Sequence, residues 1–271
     1  MSLSRLFSLE PHGADVLVGE GHHYPWGGLY GGHIVAQALV AASSTVEKGP
    51  FPHSLRAYFI RRGDNTETVR YEVDRIRNGR SFATRRVVAR QSTGAILNLE
   101  ASFQRPEPTA EATTVRMPDV PGPGAPNEDM WSPYLERADV SDTDLGQGER
   151  DGAGRFAAWF RTVEDFGDDE MLNRCALAYI SDDLPTESVI RGVPELRAHW
   201  SEEGAYFSAS LDHTIWFHRP VRAREWHLYE MSCHAYISGR GLSLGYVFSR
   251  EGEHVATIAQ EVLVRLTADK R

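Results

Sequence analysis

The sequence of 271 residues is poor in cysteine, has no excess of positive charge and contains no long apolar run. Two cysteines, Cys175 and Cys233, are too few for a disulfide framework and fit a reducing compartment. The opening MSLSRLFSLEPHG lacks the apolar stretch of a secretion signal. No segment is long enough to cross a bilayer, and the closing ADKR is not a sorting tripeptide. These absences predict a soluble cytoplasmic protein without membrane insertion. A net charge of −9 and a pI near 5.7 argue against broad binding to nucleic acid, while leaving room for a local basic pocket around an anionic ligand. There is no phosphate loop of the G-x-x-x-x-G-K type and no G-x-S-x-G elbow. Eleven histidines include no pair at convincing metal-ligand spacing, so neither a metal nor a cofactor is expected.

What is present is organised around residues 206–220, YFSASLDHTIWFHRP. Phe207, Ala209, Leu211, Ile215 and Phe217 alternate with Ser208, Ser210, Asp212 and Thr214, a period of two that predicts one strand with a buried face. Upstream, Gly27-Gly28 and Gly31-Gly32 precede an alanine-rich run over 34–46 that reads as a helix packed closely on a sheet. Strands are predicted over 54–60, 69–76, 82–90 and 96–103, separated by glycine turns. Residues 105–133 hold seven of the 14 prolines and are acidic, as a surface connector would be, and a short helix is allowed for in 134–154. The plan then repeats: a strand over 156–163, a helix over 168–183 stopped by Leu184-Pro185, an insertion over 186–203, and strands over 206–220, 227–237, 242–250 and 254–266. A shift of 160 places His53 on His213, Gly79-Arg80 on Gly239-Arg240 and Arg105 on Arg265. The repeated order of elements argues for a duplication more strongly than the few matching letters. The expected division is residues 1–105, a connector over 106–150, and residues 151–271.

Three polar residues stand where carbon is expected. Asp182 continues the helical stripe of Met171, Leu172, Cys175, Ala178 and Tyr179. Burial there would raise its pKa toward that of a general base, whereas a frayed last turn would leave it solvated. Gln260 is the polar member of a row with Ala256, Ile258, Val262, Val264 and Leu266, and needs polar partners if buried, backbone groups being the commoner ones. Ser210 is the weakest, lying on the more polar face of its strand. Arg85-Arg86 and Arg61-Arg62 could meet phosphates, though strand arginines more often point to water.

The phrases GGHIVAQALVAAS, HSLRAYFIRRGD, RNGRSFATRRVVA and ASFQRPE resemble the N-terminal half of the type II acyl-CoA thioesterases, the TesB-like family. YISDDLP, ASLDHTIWFHRP and ATIAQEVLVR resemble its C-terminal half. The resemblance covers nearly the whole chain. It implies an α+β double hotdog: two long helices, each wrapped by a bent antiparallel sheet, the sheets forming one continuous pseudo-dimeric whole. It implies hydrolysis of fatty acyl-CoA to free acid and CoA by a catalytic Asp, Ser or Thr, and Gln, matching Asp182, Ser210 and Gln260. The amides of Gly31, Gly32 and His33 at the first helix start are candidate substrate contacts for a developing oxyanion.

Several positions depart from the family pattern. His33 replaces a frequent Gln, Ser210 the commoner Thr, and Arg62 a usual Pro, and Asp183 adds a second carboxylate. A homodimer or homotetramer is expected, with acyl-CoA as the substrate partner. A hotdog hydratase or dehydratase and a non-catalytic acyl-CoA binding module are the competing readings. The former generally needs a His beside the acid, and none adjoins Asp182 in sequence.

Overall fold

The computed structural model describes residues 2–146, 154–200, 202 and 204–267. The first half contains a short helix α1 (Leu3–Leu6), strands β1 (Leu9–Pro11) and β2 (Val16–Gly19), and helix α2 (Gly31–Ser44). Strands β3 (Phe51–Phe59), β4 (Val69–Asn78), β5 (Phe82–Gln91) and β6 (Gly94–Gln104) follow. The second half has β7 (Leu135–Asp139), β8 (Arg155–Thr162) and helices α3 (Glu170–Ile180), α4 (Leu184–Gly192) and α5 (Pro194–Arg197). It closes with β9 (Tyr206–Ser210), β10 (Asp212–Phe217), β11 (His227–Ile237), β12 (Arg240–Ser249) and β13 (His254–Leu266).

Among the described residues these strands form one antiparallel sheet in the order β1-β2-β4-β5-β6-β3-β10-β13-β12-β11-β8-β7, with β9 alongside β13. The order is a palindrome of the two halves. β3 matches β10, β6 matches β13, and so outward to β1 and β7. The halves join at the centre, where Leu55 lies opposite Ile215 and Ala57 opposite His213. Helix α2 and helix α3 pack against one another over this seam. The arrangement is the double hotdog, with the long helices held in one core that includes Ile34, Leu39, Leu55, Phe103, Ile215 and Ile258.

Local chemistry explains the helix ends. Asp169 caps α3 by accepting from the amides of Met171 and Leu172. The helix ends at Ile180, and Leu184-Pro185 does more than stop it: proline in the first turn opens α4, for which its missing N–H is no loss. Helices α4 and α5 thus fill most of the expected insertion. The short helix allowed for in 134–154 is instead strand β7, whose Leu135 and Ala138 turn inward beside β8, while residues 147–153 lie outside the described ones.

The single strand expected over 206–220 is broken. Ser210 pairs with Val262 and Thr214 with Ala259, four steps along one strand against three along the other. The extra residue is a bulge at Leu211, and it reverses the alternation. Beyond it His213, Ile215 and Phe217 face the core while Trp216 is exposed, and before it Phe207 is exposed. The paired arginines are occupied too. Arg85 is buried and bonded to Thr45 and Asn78, Arg86 pairs with Asp74, and Arg61 and Arg62 donate to the carbonyls of Ala95 and Trp26.

Candidate active site

The site lies where the C-terminal end of α3 meets the N-terminal end of α2. Asp182 follows the last residue of α3 by two positions, and Gly31 opens α2. Asp182 Oδ1 accepts from Ser210 Oγ at 2.9 Å and from Gln260 Nε2 at 2.8 Å. Its Oδ2 accepts from the Gly32 amide at 3.0 Å. Gln260 Nε2 also reaches Ser210 Oγ at 2.9 Å. The three polar residues singled out in the sequence therefore form one closed triangle, contributed by a helix end, the last residue of β9 and the middle of β13.

The bulge at Leu211 is what brings Ser210 there. In an unbroken strand Ser210 would share a face with Trp216 and water; with one extra residue it shares the inner face with His213. The two glycines are fixed by close approach. A Cβ on Gly31 would lie 2.5 Å from Asp182 Oδ2, and one on Gly32 would lie 2.3 Å from the Tyr179 carbonyl oxygen.

The electrostatics favour a base. Burial raises the Asp182 pKa from its usual carboxylate range to about 6; the bonds from Ser210, Gln260 and Gly32 pull it down and the Asp183 charge pushes it up. A carboxylate offers about four lone-pair sites. Oδ1 has spent both of its own, and Oδ2 keeps one for a reacting group. Asp183 does not face solvent. It is largely enclosed, accepting from Trp131 Nε1 at 2.7 Å and from Arg137, which also holds Glu187 and Asp139.

The candidate substrate contacts divide. Gly32 gives its amide to Asp182, and the His33 amide turns back to the Tyr30 carbonyl. Among the described residues the Gly31 amide has no such partner. The His33 side chain is buried beside Tyr24, neither ring nitrogen bonded, and burial drives its pKa down to about 3, so the ring is neutral. Next to the site Tyr24, Trp26, Tyr30, Trp131 and Tyr179 form one aromatic cluster, Trp26 stacked on Tyr24 and Trp131 edge to face with Tyr24, Trp26 and Tyr30, with Tyr30 Oη donating to the Tyr179 carbonyl. Tyr24, Trp131 and Tyr179 also wall a cavity of about 430 Å³.

Sequence reasoning missed His213. It is fully buried, its Nδ1 bonded to Gln260 Oε1 and its Nε2 2.8 Å from Ser181 Oγ. The signal was present: His213 is the polar member of the apolar row that includes Ile215 and Phe217.

The site is thus a buried carboxylate with a raised pKa, held on three donors at the seam between the two halves. Comparison with known proteins gives the chain its family. The model of the acyl-CoA thioesterase N-terminal domain matches residues 22–113, and that of the acyl-CoA thioesterase C-terminal domain matches residues 110–264. The chain is 34% identical to mouse acyl-coenzyme A thioesterase 8, covering 97% of this chain and 89% of the mouse protein. It is 30% identical to acyl-CoA thioesterase 2 of Haemophilus influenzae over 98% of both. The solved structure of acyl-CoA thioesterase II TesB2 from Mycobacterium marinum superposes with a TM-score of 0.85 at 33% identity, covering 100% of each chain. The chain belongs to the type II acyl-CoA thioesterases and is an enzyme of that thioester-hydrolase class.

Proposed function

We propose that the protein hydrolyses fatty acyl-CoA to free fatty acid and CoA, with Asp182 as the general base. The observation that carries this is the free lone pair on Asp182 Oδ2, on a carboxylate whose pKa lies near 6. A thioester carbonyl is electrophilic enough for water once the water is oriented and partly deprotonated. In this reading water binds at Oδ2 and gives up its proton as it attacks. Ser210 and Gln260 hold the carboxylate; the amide of Gln260 is fully committed and does not touch the water. The Gly31 amide is the donor left for the oxyanion. The aromatic-walled cavity receives the acyl group, its volume being in the range of ligand pockets. His213 does not supply the histidine a hydratase needs, because both of its ring nitrogens are engaged away from Asp182.

Residues 1–105 and 151–271 are taken as the two hotdog units, joined by 106–150. Cytoplasmic residence is supported by the two free thiols, and no described helix is long and apolar enough to cross a membrane. Self-association is supported by the outer sheet face, where Tyr58 of β3, Trp216 of β10, and Leu242 and Tyr246 of β12 are exposed; light scattering would give the number of copies.

CoA release from short to long acyl-CoAs is the deciding assay. Release by the wild type, abolished in Asp182→Asn while acyl-CoA still binds, is the expected result. Binding without release from any chain length would replace hydrolysis by a binding role, and conversion of enoyl-CoA would point to a hydratase.

A further inference from the structure

We infer that His213 is a positioning residue that fixes the side-chain amide of Gln260 so that its NH₂, not its carbonyl oxygen, faces Asp182 and Ser210. The inference rests on the proposed role of Asp182 as base. A primary amide has nearly the same shape either way round, so its orientation is decided by the groups at its two ends. Reversed, Gln260 would set a carbonyl oxygen against an ionised carboxylate, acceptor against acceptor. As observed, one N–H goes to Asp182, the other to Ser210, and Oε1 takes the remaining bond from His213 Nδ1.

His213 is built for that bond. It lies on β10 one step beyond the paired Thr214 and Ala259, beside Gln260 of the neighbouring strand β13. Its other nitrogen meets Ser181 Oγ, on the residue that caps the end of α3 and precedes Asp182. A neutral ring carries one N–H. The single Ser181 hydroxyl proton has two acceptors in reach, the Ala178 carbonyl at 3.1 Å and His213 Nε2. Because both amide protons of Gln260 go to Asp182 and Ser210, its Oε1 can only accept, which selects the tautomer with the proton on Nδ1 and the Ser181 hydroxyl turned to Nε2. Burial keeps the ring neutral, its pKa lowered to about 4. The chain Ser181–His213–Gln260–Asp182 thus leaves the base and returns to the residue beside it, closing a loop. Such a second ring of bonds orients a site without touching substrate.

The test is a double-mutant cycle on kcat and KM with wild type, His213→Ala, Gln260→Ala and the double variant. The expected result is a loss of about tenfold or more in kcat for His213→Ala with KM within about twofold, and no further loss when His213→Ala is added to Gln260→Ala. Losses that multiply, or a wild-type kcat in His213→Ala, would overturn the inference. His213→Asn places a donor near the Nδ1 position and is expected to restore kcat to within about fivefold of wild type; this variant also serves if His213→Ala fails to fold. A readout independent of turnover is the side-chain NH₂ signal of Gln260 by NMR. In the wild type both amide protons are expected far from the positions of a free glutamine, displaced by their bonds to Asp182 and Ser210; a move of the pair toward the free positions in His213→Ala supports the inference, and an unchanged pair overturns it. If the wild type released no CoA, the hydrolase reading would fail by itself while this signal still judged the amide's orientation.

Discussion

The two halves of the sheet follow one plan but finish their helices with opposite charges. Past the end of α2 lies Thr45, whose carbonyl and hydroxyl receive the guanidinium of Arg85; Arg85 also donates to the carbonyls of Arg77 and Thr84 and to Asn78. Past the end of α3 lies Asp182. The matching histidines behave alike: His53 bonds Ser102 at 2.8 Å across to β6, as His213 bonds Gln260 across to β13. A cation at a helix C-terminus complements the dipole, and every donor of Arg85 is satisfied by a neutral oxygen. A carboxylate at a helix C-terminus opposes its own helix dipole and leans on the amide of the other helix start instead. One end is closed and structural. The other is kept under tension with a free lone pair, which is what the proposed base requires.

The sharpest way to break this contrast is to exchange the costs. Asp182→Asn should lower kcat by about a thousandfold or more, the scale of a lost general base with its positioned water. Its stability should not fall. The folded-state pKa of Asp182 is raised above the unfolded value, so its contribution is most favourable at low pH and declines as pH rises from 3.8 to about 6. By neutral pH the ionised group costs on the order of 3 kcal/mol, part of which Asn recovers while losing the Gly32 bond. Asp182→Asn is therefore expected to melt no lower than wild type at pH 7, and a large drop in Tm would contradict a strained site. Arg85→Met should do the reverse. It strips partners from several buried oxygens and should cost about 3 kcal/mol or more in denaturant unfolding, with kcat of the folded fraction within about threefold of wild type. Equal damage to rate and stability in both variants would erase the distinction.

Gly32→Ala should give the next largest effect. A methyl 2.3 Å from the Tyr179 carbonyl cannot be accommodated without moving the start of α2 away from the end of α3. Overpacking of this kind costs about 1–3 kcal/mol, and the Gly32–Asp182 bond lengthens with it. A kcat reduced by roughly ten- to a hundredfold is expected, since a misplacement near 1 Å carries about that penalty. Unchanged kinetics and unfolding would mean that the seam between the halves is not what sets the base.

The sequence made the architecture and two of the three site residues legible, because Asp182 and Gln260 break periodic apolar patterns that a lone chain displays. Ser210 was legible only through family resemblance. Its period placed it on the polar face, and a one-residue bulge at Leu211, which no local residue preference announces, turned it inward. Strand β7 was missed for a related reason: Leu135 and Ala138 are too few to show alternation, and only the neighbouring β8 makes them a strand. Arg85 looked like a solvated strand residue because Thr45 is distant in sequence and Asn78 lies at the far end of the neighbouring strand β4.

The finest test concerns how tension at Asp182 is balanced. Wild-type kcat/KM should rise with pH through a limb near 6, since the base works only when ionised. The Ser210 hydroxyl stabilises the ionised form, so removing it must move the carboxylate pKa upward, further from the usual carboxylate range. Ser210→Ala should accordingly shift the acid limb to higher pH. Its rate deficit should be largest, about tenfold, below pH 6, the scale of one hydrogen bond to a charged group, and shrink above pH 8 where both enzymes are ionised. A deficit of the same size at every pH would assign Ser210 to holding the water rather than tuning the base. A limb shifted to lower pH would reverse the sign of the bond and with it the account of why this end of the helix pair carries a carboxylate.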